Sequence, residues 1–170
     1  MTTLLPENVR DSLEEGQRLK GWIANGYAQA EYLFGEIIAR ANDMPEYLEI
    51  KDRLPHRPEK RIAKIREIHD IEGFFSSYKK EIEWLICAFE HHQPTRHLLV
   101  HGFCTVYHTP DGDFGLQFRK WHRDGDRDAE IKKCYRLIDL EYEKAQFAHV
   151  ADRALTLVRD VHEKLGLIEQ

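Results

Sequence analysis

Glu90-His91-His92-Gln93-Pro94-Thr95-Arg96-His97-Leu98-Leu99-Val100-His101-Gly102-Phe103-Cys104-Thr105-Val106-Tyr107-His108 is the stretch in which the chain changes its periodicity. Ahead of it Phe74, Tyr78, Ile82, Leu85 and Phe89 recur at helical steps, and a helix predicted from them runs into the stretch. Pro94 lacks a backbone donor, so it either kinks this helix or begins a fresh segment carrying Arg96 and His101. Past Gly102, Phe103 to His108 is rich in strand formers, Thr109-Pro110-Asp111-Gly112-Asp113 is turn chemistry, and Phe114, Leu116 and Phe118 alternate. That combination predicts a β-hairpin. Asp124-Gly125-Asp126 is a second turn signal, and Glu130 to Arg136 supplies a third strand with Ile131 and Cys134 toward the apolar side.

Working outward, Ile23, Tyr27, Ala30, Phe34, Ile37 and Ala41 form the seam of a helix beginning at Gly21. Pro6 and Glu7 open a shorter, peripheral helix that ends near Lys20. Asn42 to Lys60 carries Pro45, Pro55 and Pro58 among charges and reads as a surface loop, after which Ile62, Ile65, Ile68 and Ile71 line another helix. Asp139 is the expected N-cap of a last helix striped by Leu140, Phe147, Ala151, Leu155, Val158, Val161 and Leu165, with Gly166 beyond it. The predicted fold class is mainly α: a helical bundle over residues 21–102, a small antiparallel sheet inserted over residues 103–136, and a last long helix over residues 139–166. Residues 1–170 are expected as a single domain with residues 1–20 at its periphery.

The net charge of −5 excludes a protein that coats nucleic acid unspecifically, because such binding is supplied by many Lys and Arg. Cys87, Cys104 and Cys134 show no C-x-x-C spacing and read as reduced, mostly core thiols. No apolar run reaches about 18 residues, and the expectation is a cytoplasmic protein with no membrane partner. Arg96 and His101 are five residues apart, and His97 and His101 four, so the expectation is that they project from one broad side of their helix. A guanidinium fork matches a phosphate and an imidazole moves protons at neutral pH, which together suggest phosphate chemistry. His91 and His92 diverge by about 100° on a helix and read as a polar helix end. Arg119, Lys120, His122, Arg123 and Arg127 form the concentrated basic tract, either a solvated sheet edge or a path for a substrate backbone.

Arg96-His97-Leu98-Leu99-Val100-His101-Gly102 resembles the R-x4–6-H motif of the HEPN domains, in its place near the end of a long helix, its trailing glycine, the hairpin after it and the closing helix. The resemblance implies a metal-independent endoribonuclease without a cofactor. Arg96 and His101 would be catalytic, and a homodimer would place two motifs across one interface, with His97 as an in-chain second imidazole. Arg119, Lys120 and Arg123 would bind the RNA backbone. Some toxin members of the family continue the motif as H-x-Tyr, where this chain has Phe103, a departure from that branch; a protein antitoxin or regulator is the partner that membership of it would imply. Two other classes are weighed beside it. One is a non-catalytic HEPN-like module that binds RNA, a nucleotide or a protein. The other is a bundle enzyme holding a metal ion with His69, His101 and His149 or His162.

Overall fold

The computed structural model describes residues 7–108, 114–125 and 127–168. Its elements are helices α1 (Glu7–Asn42), α2 (Pro58–Asp70), α3 (Lys79–His101) and α4 (Leu137–Lys164), and strands β1 (Phe103–His108), β2 (Phe114–Asp124) and β3 (Arg127–Arg136). Short 3-10 turns cover Pro45–Ile50 and Phe74–Tyr78. The chain is therefore mainly α with a three-stranded antiparallel sheet, ordered β1-β2-β3, ahead of the last long helix. The chain divides into two compact units, Met1–Gly26 with His92–Ala148 and Tyr27–His91 with His149–Gln170.

The first unit is built on the sheet. Phe103 pairs with Arg119, Val106 with Leu116, Leu116 with Tyr135 and Phe118 with Lys133. Directly paired residues share a face and neighbours along a strand alternate. Leu116, Phe118 and Tyr135 are thus buried on an inner face, while Phe103 and Trp121 stand on the outer one. The first helical turns of α1 cover the inner face. Gly16 leaves room for Leu116, Lys20 lies over the Phe118 ring at 5.6 Å, and the Gln17 amide donates to Cys104 Sγ at 3.5 Å. Residues 1–20 were expected as a separate, peripheral helix. α1 instead runs unbroken from Glu7, because Leu19 extends the buried stripe of Ile23 across the assumed boundary.

Other expectations change in detail. α3 continues through Pro94, whose missing donor costs one helical hydrogen bond without ending the helix. β3 is longer than expected, and its buried residue is Tyr135. Ile131 and Cys134, one odd and one even, face opposite sides and are exposed. The turn Thr109 to Asp113 and Asp126 lie outside the described residues. Gly125, at φ 60, takes the left-handed conformation between β2 and β3. None of the three cysteines is in the core: Cys87 and Cys134 are exposed and Cys104 half-buried.

Asp139 is not the N-cap of α4 but its third residue, from which the carboxylate reaches back to accept the Arg136 backbone N–H at 2.9 Å and the Arg136 guanidinium at 2.9 and 3.1 Å. This is half of a capping box. The Arg136 guanidinium, with a smaller contribution from the backbone N–H, holds the Asp139 carboxyl below its ordinary range. A depressed carboxyl adds stability that is fully present above its unfolded pKa of about 4 and is lost as pH falls through the folded value. Asp139→Asn should therefore flatten the acid limb of the stability profile below about pH 4. Thermal melts of variant and parent that stay parallel down to about pH 2 would contradict this. At its other end α4 closes with Gly166 at φ 66, Gly166 N–H on the Glu163 carbonyl and Leu167 N–H on the His162 carbonyl, a Schellman motif.

The second unit holds the predicted seam. Tyr27, Ala30, Phe34, Ile37 and Ala41 are buried, and Phe89 of α3 packs 4.1 Å from Tyr27 and 5.0 Å from Phe34 between ring centroids. Ile62, Ile65 and Ile68 of α2 are buried as expected. The stretch 42–60, read as a loop, contains a 3-10 turn whose Tyr47 is buried and accepts the Phe75 N–H at 2.9 Å. In α4, Leu155 leaves the expected stripe and is 58% exposed; Ala154 and Leu157 are buried instead. Arg153 lies 3.6 Å over the Trp84 ring and grips Glu81 with two hydrogen bonds of 2.7 and 2.5 Å.

Candidate active site

The last turns of α3 bring Pro94, Thr95, His97 and Leu98 against the inner face of the sheet. With Lys120 of β2 and Ile131, Lys133 and Tyr135 of β3 they line a cleft of about 260 Å³. His97 and His101, one helical turn apart, meet edge to face with ring centroids 4.9 Å apart. The Lys120 ammonium reaches His97 Nε2, so that nitrogen accepts and the other carries the ring proton while the contact lasts. Lys133 lies over the Tyr135 ring at 4.6 Å. Tyr135 is 2% exposed, and its hydroxyl makes no hydrogen bond among the described residues. A buried hydroxyl without a partner costs free energy that a bound acceptor would recover.

The six residues singled out in the sequence therefore separate. His97, His101 and Lys120 come together. Arg119 and Arg123 fall on the outer face of β2, because neighbours along a strand point to opposite sides. Within the tract only Arg119 is paired on both sides; beyond it β1 has ended, and Lys120, His122 and Arg123 pair with β3 alone, so this part of β2 is a sheet edge. Five residues of helix turn Arg96 about 140° round from His101, wider than the single side expected of them. His92 is no solvated helix end: its side chain is 13% exposed, lies 3.7 Å from Glu143 and packs on Phe147 at 4.8 Å between centroids. Lys133 and Tyr135 were missed. Their alternation was visible in the sequence, but only the β2–β3 register, which pairs Lys120 with Ile131, puts them on the same face as Lys120.

Gly102 fixes the approach to this site. Its N–H donates to the Leu98 carbonyl at 2.8 Å, and a Cβ there would collide with that same backbone oxygen. Gly102→Ala should shift both His101 and Phe103, lowering thermal stability and any activity of the cleft together. A variant with unchanged melting temperature and activity would refute the close approach.

Among the described residues no group of three or more His, Cys, Asp or Glu is gathered as a metal-ligand set, and no helix is long and apolar enough to cross a membrane. No protein-family model, curated protein or solved structure matches the chain.

Proposed function

We propose that this protein is a metal-independent endoribonuclease whose reacting groups are His97, His101 and Lys120 of one chain. The observation that supports it is the contact of the His97 imidazole and the Lys120 ammonium in the lining of a basic, partly apolar cleft, with the His101 ring packed against His97. RNA carries its own nucleophile, so cleavage without a metal needs a base, an acid and a cation. His101 takes the 2′-hydroxyl proton as that oxygen attacks phosphorus. The phosphorus–O5′ bond breaks, and the His97–Lys120 pair returns a proton to the departing 5′-oxygen. Lys120 and Lys133 offset the charge growing on the non-bridging oxygens, and the Tyr135 hydroxyl is available to donate to one of them. The products are a 2′,3′-cyclic phosphate and a 5′-hydroxyl.

The pairing of two copies that the HEPN resemblance implies would add a second cleft, but in this reading each chain holds a full set of groups. The test is cleavage of end-labelled single-stranded RNA in EDTA. Undiminished cleavage that leaves a 2′,3′-cyclic phosphate is expected. Activity that vanishes in EDTA and returns with a divalent ion would overturn the reading.

A further inference from the structure

The outer face of the sheet is not used by that chemistry, yet its composition is unusual for a solvated surface. Phe103 and Trp121 are 65% and 67% exposed. The pairing of Phe103 with Arg119 puts Trp121, two residues farther along β2, diagonally beside Phe103 on the same face. Such diagonal neighbours lie about 7–8 Å apart. Arg119 is the direct cross-strand partner of Phe103, its guanidinium 5.8 Å from the Phe103 centroid and its Nε buried without a hydrogen bond among the described residues. Lys132 is paired directly with Arg119, and Arg123 continues the row beyond Trp121. Asp128 and Glu130 share the face, opposite Arg123 and Trp121, and Arg136 is tied to Asp139. Three cations thus face two carboxylates, a positive excess in a chain whose net charge is −5.

We infer that the outer face formed by Phe103, Arg119, Trp121 and Lys132 is a stacking platform for a single-stranded polynucleotide. Exposed aromatic rings cost free energy in water, and a run of bases offers them flat partners while its phosphates meet the cations. A duplex is a poor occupant because its bases are already stacked on one another. Aromatic residues and Arg are enriched at protein–protein interfaces as well, and it is the excess of cations over carboxylates on this face that favours a polyanion. The platform stands independently of cleavage at the cleft. If both hold, Phe103, two residues after His101, would bring a stacked strand to the catalytic end of α3.

The test is fluorescence anisotropy of labelled oligomers of RNA and of DNA, single-stranded and duplex, with the intact chain carrying His101→Ala so that substrate survives. Single strands are expected to bind more tightly than duplexes. Trp121→Ala and Phe103→Ala should each weaken that binding by about five- to a hundredfold, with Trp121→Phe close to parent. Lys132→Ala should lower the slope of log affinity against log salt by about one. Equal binding by parent and both alanine variants, tighter binding to duplexes, or binding only to anionic vesicles would overturn the inference. Cleavage with unaltered strand binding in Trp121→Ala would sink the platform and leave the nuclease. Platform-dependent binding with no cleavage by the His101-containing chain would do the reverse.

Discussion

His101→Ala is expected to lower the single-turnover rate of RNA cleavage by about a hundredfold or more, because in the proposed reaction it removes the base that takes the 2′-hydroxyl proton. Lys120→Ala should fall by about 10²–10³, the usual cost of deleting a charge aimed at a growing oxyanion. Lys120→Arg recovers only part of it, since a planar fork does not reproduce a point charge at the same place. Two further observations separate a single-chain site from one shared between copies. Mixing His97→Ala with His101→Ala chains restores no activity if each chain carries its own set, and restores a fraction if two copies share one. Arg96→Ala serves the same end. A loss as deep as that of His101→Ala means that a guanidinium belongs to the reacting set and that the assignment to His97 and Lys120 is wrong.

The largest effect on stability is expected at Phe89, not at any charged residue. Its ring is 1% exposed between Tyr27 and Phe34, and truncation to alanine removes both the buried apolar area and two aromatic contacts. Phe89→Ala should cost about 3–5 kcal/mol. For a chain of this size that lowers the melting temperature by roughly 6–20 °C. Leu155→Ala is the control: at 58% exposure it should change stability by less than about 0.5 kcal/mol. Calorimetry that ranks the two variants equally would show that the packing around Phe89 is not as described.

The contrast between these residues also explains what could be read in advance. The seam from Ile23 to Ala41 was legible because apolar side chains at steps of three and four have one way to be buried together on a helix. The hairpin was legible because strand formers, turn residues and alternation agree between Phe103 and Phe118. Leu155 was misplaced because a helix stripe predicted from spacing has an uncertain width, and Ala154 fills the position as well. The site was harder. Arg119, Lys120 and Arg123 look like one basic patch when read in a line, although a strand must divide them between its faces. Lys133, thirteen positions on, comes diagonally beside Lys120 only through the β2–β3 register, which sets Tyr135 two residues farther along the same face. His97 was visible as a fallback; its contact with Lys120 was not.

The joints of the sheet carry a further consequence. β1 follows α3 after the single residue Gly102, and α4 follows β3 with no intervening residue. In most proteins a loop would absorb an error in strand alignment, but here nothing slack lies between Arg136 and Leu137. If β3 slid by one residue against β2, Tyr135 would turn outward and the start of α4 would be carried about 3.3 Å from the seat of its buried stripe. Two hydrophobic mismatches would arise from one mistake, so the helix proofreads the strand.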